Sequence, residues 1–285
     1  MLNIKEIIIS SESLANLYIN KSMVLPELNS APINSYFILR SDINTKHSAL
    51  VRHWGKGLCK LLKKPELNGI CGRDAQQTSF LDAMCDPDIL INVAYGSAGT
   101  GKTTLALAYA ADRYLKTGAK IQLTKPTAFV GDGKAFGPVP GDIEEKYAPY
   151  LESFYIVLKK IFGKDSKDYF EQMKKKGDLK FTPIAFARGT TYDNATFIID
   201  EAQNLTWHEL NSIVSRMGEN TKCILLGDLK QIDIKLPYKE TGMYQMLNTK
   251  IFQESPITSA IELASQYRSP ITQLIAEVHD ELRKE

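Results

Sequence analysis

The amino-acid sequence predicts an α/β fold: one doubly wound domain on a mostly parallel sheet flanked by helices, preceded by a small N-terminal extension. Three observations predict it. From residue 72 onward, short apolar runs suited to strands alternate with stretches of helical periodicity, the pattern of parallel strands joined by crossover helices. A glycine-rich loop, Gly96–Thr103, lies between one such run and the helical stretch after it. Before about residue 70 neither pattern is sustained, which sets residues 1–70 apart from a main domain over 71–285.

In chain order, SYFILR (35–40) predicts a strand, and HSALVRHWGKGLCKLL (47–62) a basic amphipathic helix interrupted by Gly55 and Gly57. The runs ILINVAY (89–95), KIQLT (120–124), ATFIID (195–200), KCILLG (222–227) and ITSAIEL (257–263) predict strands buried on both faces. Between them, Leu105, Ala108, Ala111 and Leu115 mark one face of a helix that Gly118 would cap. Ile143, Tyr147, Leu151, Phe154, Leu158 and Phe162 repeat at helical spacing before Gly163. Thr206-Trp-His-Glu209 is a capping box for a helix through Leu210, Ile213, Val214 and Met217, ended by Gly218. Ser269-Pro270 opens a last helix carrying Ile271, Leu274, Ile275 and Val278. The stretch around 163–190 reads as an elaboration inserted between core elements.

Composition narrows the class. The chain has 285 residues, 44% hydrophobic and 24% charged, which excludes disordered and collagenous types. No apolar run approaches the roughly 18–20 residues of a membrane helix. The N-terminus, MLNIKEIIISSES, has an acid inside a short apolar stretch and no basic flank, so a cytoplasmic protein without a signal peptide is expected. Cys59, Cys71, Cys85 and Cys223 form no CxxC pair, and His47, His53, His208 and His279 are scattered, which supports neither a zinc site nor a disulfide framework.

The net charge of +2 hides two basic stretches. Between Arg40 and Lys64 seven Lys and Arg face one acid, Asp42, and between Lys159 and Lys180 eight lysines face four acids. Either could follow a phosphate backbone, with Trp54 stacking on a base, or be a solvated helix face.

The strongest chemical signal is Gly96-Ser97-Ala98-Gly99-Thr100-Gly101-Lys102-Thr103, which satisfies GxxxxGK[ST] in the required strand–loop–helix context. Glycines let backbone N–H groups turn inward onto phosphates, and the helix that follows presents its positive end. Lys102 would reach the β- and γ-phosphates, Thr103 would bind magnesium, and Thr104 follows in the same turn. Phe197-Ile-Ile-Asp200-Glu201-Ala202-Gln203 places an acidic pair at a strand's carboxyl end, beside a phosphate loop in such a sheet. Asp200 would hold the metal and Glu201 would orient and activate water. In Gly227-Asp228-Leu-Lys-Gln231-Ile-Asp233, Gln231 could sense the γ-phosphate, or the segment could be a capped turn. Gln77, in Arg73-Asp-Ala-Gln76-Gln77, could match the N7 and N6 edge of adenine with its amide.

Together these residues resemble the PhoH family of P-loop ATPases, whose core is related to the first motor domain of superfamily-1 helicases. The resemblance spans roughly Gly72 to Pro237 and returns at Gln266-Tyr267-Arg268-Ser269-Pro270. The Gln77 region is similar to the Q motif. Leu123-Thr-Lys-Pro126 resembles the family's Leu-Thr-Arg-Pro, with Lys125 where Arg is usual, and Lys lacks the bidentate fork. Phe136–Asp142, Pro149–Leu151 and Ala187-Arg188-Gly189-Thr190 resemble further family segments. The resemblance implies a RecA-like P-loop NTPase that uses ATP and Mg2+. Longer members carry an N-terminal nuclease domain; the first seventy residues lack spaced acids on strands, so nuclease activity is not carried over.

About fifteen residues follow Arg268, too few for a second motor domain, so an arginine at the nucleotide must come from within the chain or from a neighbour. Arg268 could supply it, predicting a homo-oligomer and, by family resemblance, a hexameric ring; its bland alternative is a surface salt bridge or helix N-terminal contact. Two functional readings follow: an ATPase acting on single-stranded RNA or DNA by translocation or unwinding, or an ATP-driven switch acting on protein partners. The acidic pair argues against a module that binds nucleotide without hydrolysis, and a nucleotide kinase fits the Asp-Glu-Ala-Gln and Gly-Asp-x-x-Gln segments poorly.

Overall fold

The residues before position 70 fold as a five-stranded sheet with its own core, and the basic helix expected over 47–62 is a hairpin instead. The computed structural model describes residues 4–126, 155–159, 161–163, 166–187, 189–234 and 236–265, with Leu274 and Val278. The first sheet is built from β1 (Lys5–Ile9), β2 (Ser22–Val24), β3 (Tyr36–Ser41), β4 (Ser48–His53) and β5 (Leu58–Leu61), in the order β1-β3-β4-β5-β2. β1 runs parallel to β3 and the other pairs are antiparallel. Helix α1 (Ser11–Asn20) buries Leu14 and Leu17 against Leu39, Val51 and Cys59.

The helix expectation failed for a physical reason. Ala49, Val51 and His53 alternate inward as a strand requires, and over so short a run that alternation overlaps a helical spacing. Gly55 (φ 99°), Lys56 (φ 50°) and Gly57 (φ 72°) are left-handed, so they turn the chain where a helix would have to continue.

A tight hairpin, β6 (Glu66–Leu67) and β7 (Ile70–Cys71), joins this sheet to helix α2 (Ala75–Cys85). Its turn residues Asn68 and Gly69 both have positive φ, as a two-residue hairpin demands. Then follow β8 (Ile91–Tyr95), α3 (Lys102–Thr117), β9 (Lys120–Thr124), α4 (Ser166–Lys176), β10 (Leu179–Phe181), α5 (Ile184–Ala187), β11 (Ala195–Ile199), α6 (Trp207–Val214), β12 (Lys222–Gly227), α7 (Gly242–Leu247), α8 (Lys250–Glu254) and β13 (Thr258–Glu262). The second sheet is all parallel, ordered β10-β9-β11-β12-β8-β13.

Neighbouring residues of each strand serve opposite faces. Ile198, Ile224 and Leu226 pack with α2 and α3 through Phe80, Leu81, Leu105 and Leu107. Phe197, Ile199 and Leu225 pack with Leu210 and Ile213 of α6 and Met243 of α7. The expected αL cap at Gly118 (φ 72°) and the Thr206–Glu209 capping box are both formed, though α6 ends at Val214, short of Met217. Residues 166–181, within the stretch expected as an elaboration, contribute α4 and the edge strand β10.

The two sheets meet through buried polar groups. Tyr36 Oη donates to Asp82 (2.9 Å), Arg52 pairs with Asp82 (3.1 Å) and Asp86, and Asn34 Nδ2 donates to the carbonyls of Pro256 (2.8 Å) and Thr258 (3.1 Å). Of the expected Ile143–Phe162 helix, residues 155–159, 161 and 162 are helical. Phe136–Asp142, Pro149–Leu151, Arg188, Gln266–Pro270 with Arg268, and Ile271 and Ile275 lie outside the described residues. Leu274 and Val278 are helical and exposed.

Candidate active site

The carboxyl ends of β8, β11 and β12 converge on one cleft of about 640 Å³. Its floor is the loop between β8 and α3. The chain leaves the sheet at Gly96 (φ 146°), so close to the end of β13 that a Cβ there would stand 2.0 Å from the Leu263 carbonyl oxygen. Only glycine fits. Gly101 (φ 90°) turns the loop into α3, whose first residue is Lys102.

Gly96, Ser97 and Thr100 shape the loop from behind: Thr100 is fully buried and its Oγ1 donates to Ser97 O (3.0 Å). Ala98, Gly99, Gly101, Lys102, Thr103 and Thr104 line the cleft. Lys102 Nζ lies across the loop, donating to the carbonyls of Gly96 and Ser97.

The acidic pair sits opposite. Thr103 Oγ1 donates to Asp200 Oδ2 at 3.4 Å, so the two expected metal ligands touch. Burial, and then the Glu201 charge, raise the Asp200 carboxyl above its usual range, against the pull of Lys125 and Lys102. Asp228 is also buried and its carboxyl raised by that burial; its Oδ2 has no hydrogen-bond partner among the described residues. Two buried carboxyls and a hydroxyl in a cleft that also holds Lys102 are a donor set suited to a divalent cation. No cluster of three or more His, Cys, Asp or Glu is present among the described residues.

Glu201 stands in the left-handed region (φ 55°) just past β11, an uncommon conformation for a residue with a side chain. Lys125, one residue past the end of β9, approaches its Oε1 at 3.5 Å. Gln203 holds its Oε2: Nε2 donates to Glu201 (2.8 Å) and to the Gln231 carbonyl (2.9 Å), while Oε1 accepts from Asp228 N (3.0 Å). One buried amide thus ties the acidic pair to the loop after β12. Asn204 and Asp233 exchange two more bonds beside it. Gln231 lines the cleft, as expected.

The far wall is the β6–β7 hairpin and the residues after it: Gly69, Ile70, Cys71 and Arg73. Gln77 joins this wall to the loop and is 4% exposed. Its Oε1 accepts from Arg73 N (3.0 Å) and its Nε2 donates to Thr100 O (2.9 Å). The roles of Gln203 and the hairpin were missed at the level of sequence. The Asn68-Gly69 dipeptide was a legible hairpin signal, whereas nothing local marks Gln203 as a bridge.

The PhoH-like protein family model matches residues 69–280. Among curated relatives, Protein PhoH2 of Bacillus subtilis (strain 168) is 30% identical over 252 residues, covering 86% of this chain and 56% of that protein. Protein PhoH of Escherichia coli (strain K12) is 35% identical over 166 residues, covering 58% and 46% respectively. The chain thus spans about half the length of the curated relatives it matches. Among solved structures, Pif1 helicase from Bacteroides in complex with ADP-AlF3 and ssDNA aligns at a TM-score of 0.33 and 16% identity, over 69% of this chain and 43% of that one. Pif1 helicase from Candida albicans aligns at a TM-score of 0.38 and 18% identity, over 75% and 44%.

Proposed function

The chain belongs to the PhoH-like protein family, and from that premise we propose that it hydrolyses ATP with Mg2+ and couples turnover to single-stranded RNA or DNA. The observation that carries the reading is the contact of Thr103 with Asp200 in one cleft with Lys102, Glu201 and Gln231. The backbone N–H groups of Gly99–Thr103 cradle the phosphates. Lys102 exchanges the loop carbonyls of Gly96 and Ser97 for phosphate oxygens, keeping its ammonium hydrogen-bonded throughout. Thr103 and Asp200 would hold magnesium, which would supply charge neutralisation at the phosphates. Glu201, steadied by Gln203 and Lys125, orients the attacking water and accepts its proton. Gln231 senses the γ-phosphate. Arg268 is the arginine expected to meet the developing charge, in this chain or in a neighbouring copy of a homo-oligomer, for which a hexameric ring is the proposed form.

The strand-binding half of the proposal rests on the basic stretch in residues 1–70, with 71–285 as the ATPase domain. On the β4–β5 hairpin, Trp54 is 42% exposed, with Arg52 4.4 Å and Lys60 3.7 Å from its ring. Arg52 is committed to Asp82 and Asp86, and Arg40 to Glu6 (2.6 Å), so phosphate contact falls to the lysines of this stretch. A second reading, an ATP-driven switch on protein partners, draws on the exposed Ile8, Ile19, Val24 and Ile43 of the same region. Among the described residues no helix is long and apolar enough to cross a membrane; a cytoplasmic site of action is part of the proposal.

Steady-state ATPase rates with and without single-stranded RNA and DNA, at rising salt, test the coupling. Stimulation that fades with salt is expected; an unchanged rate with both polymers would turn the assignment toward the protein switch. Glu201→Gln is expected to bind ATP and lose turnover, and continued hydrolysis would remove Glu201 from its role.

A further inference from the structure

We propose that a pocket at the β9–β10 edge of the second sheet binds one nucleotide unit of a single strand, its phosphates on Lys120 and Lys180 and its base on Gln122. The inference rests on the strand-binding half of the proposed function and gives it a site outside residues 1–70.

Strand alternation creates the pocket. On β9, Ile121 and Leu123 belong to the core with α2 and α3, so Lys120 and Gln122 serve the opposite face of the sheet. β10 and β11 lie in parallel register on either side, which sets Gln122 between Lys180 and Phe197. Towards the sheet centre that face is apolar, with Phe197 and Leu225 packed with α6 and α7. At the β9–β10 edge it turns polar. A cavity of about 430 Å³ opens there, lined by Lys120, Gln122, Lys180, Thr182, Tyr192 and Asp193 among others. That volume lies in the range of small-ligand pockets.

Two features of the pocket call for a ligand. Gln122 is 5% exposed, and its Oε1 has no hydrogen-bond partner among the described residues. An unpaired buried acceptor is costly, and packing alone would be served by an apolar side chain. A base edge supplies the missing donor through its N–H groups. The second feature is the pair of lysines, both exposed and neither ion-paired among the described residues. Asp193 opposes them, but its Oδ1 already accepts from Glu219 N (2.8 Å), and two lysines to one carboxylate leave the lining positive. The basic stretch from Lys159 to Lys180 ends here, which favours a strand over a free small anion. Exposed Lys175 and Lys176 close α4, and Gly177 after them is part of the pocket wall. Lysines at a helix C-terminus complement its dipole and need no ligand. Lys120 and Lys180 stand on strands, where that account does not apply. Together the four give a basic surface longer than a single nucleotide spans, suited to a run of phosphates.

The test measures binding of the full chain to labelled single-stranded RNA and DNA by fluorescence anisotropy over a salt series. It compares the wild type, K120A/K180A and Gln122→Leu, with an abasic strand of the same length as a further probe. The double variant is expected to lower the slope of log affinity against log salt by about 1.4, two phosphate contacts at roughly 0.7 each. Gln122→Leu is expected to weaken the base-bearing strands by about three- to tenfold with the slope unchanged, and to bind the abasic strand as the wild type does. Because it removes an unpaired buried acceptor, it should also raise the midpoint of thermal unfolding. An unchanged slope in K120A/K180A, or equal weakening of the abasic strand by Gln122→Leu, would overturn the site while strand binding stands. So would a lowered midpoint or a failure of Gln122→Leu to fold, either of which would make the amide structural. A wild-type chain that binds neither polymer would defeat the strand-binding reading, and this site with it.

Discussion

Replacing Gln203 with Leu keeps most of the side-chain volume and deletes three hydrogen bonds at once. Gln203 is 1% exposed, and its amide serves Glu201 Oε2, the Gln231 carbonyl and Asp228 N. The last two are backbone groups next to the cleft, and each left unpaired costs about 1–3 kcal/mol. The bond to Glu201 reaches a carboxylate whose side chain is 39% exposed, so water replaces much of it and its loss adds roughly 0–1 kcal/mol. The sum is on the order of 2–7 kcal/mol, a large share of the ~5–15 kcal/mol that holds a typical domain together. Catalysis should suffer separately. Among the described residues Glu201 would keep the Lys125 contact on its other oxygen, and a displacement of about 1 Å in a positioned base can cost ~10²-fold in rate. The prediction is therefore a lower midpoint in guanidinium unfolding together with a kcat for ATP reduced by about a hundredfold and a nearly unchanged KM. A variant that loses stability but keeps kcat would refute the idea that Gln203 positions Glu201. One that keeps both would refute the whole bridge.

Three further outcomes are expected. Gly96→Ala should abolish nucleotide binding, measured by titration with a fluorescent ATP analogue, because a Cβ there collides with Leu263 O at 2.0 Å and φ is 146°; retained affinity would mean that the loop path differs. Arg52→Ala should cost about 3–5 kcal/mol in denaturant unfolding, since Asp82 and Asp86 would lose their buried partner; a change below about 1 kcal/mol would show the network to be solvated. Lys222 is buried at the start of β12, where it caps α2 by donating to Met84 O and Asp86 O, and burial lowers its pKa from 10.5 to about 8. Between those values the unfolded chain binds the extra proton, so stability should rise with pH from about 8 toward 10.5, by up to ~3 kcal/mol. Lys222→Met should remove that slope, and an identical pH profile in the variant would reject the shift.

Much of the fold was legible because buried parallel strands leave unmistakable apolar runs. The five runs from Ile89 to Leu263 all became strands of one sheet, and the capping box at Thr206 opened its helix. The sixth strand, Leu179–Phe181, was missed because three residues at an edge carry too little pattern, with Lys180 exposed among them. The hairpin at 48–61 was taken for a helix because a short alternation also satisfies helical spacing. In the candidate site, the placement of the glycine-rich loop and of the Asp200–Glu201 pair at strand ends was legible because it follows from adjacent residues. Gln203, Lys125 and the β6–β7 wall were not, since their roles depend on which strand ends meet.

By itself the sequence determined where the glycine-rich loop lies, which strand carries the acidic pair, and that the strands run parallel under helices. These are local matters, set by glycine's access to positive φ, by the chain's apolar periodicity and by short-range caps. Only the tertiary structure decided that Thr103 reaches Asp200 across nearly a hundred residues, that Gln203 ties two strand ends together, and that Gln77 faces the loop. Those contacts come from the order β9-β11-β12-β8 in the sheet. Strand order is set by long-range packing that no run of neighbouring residues encodes.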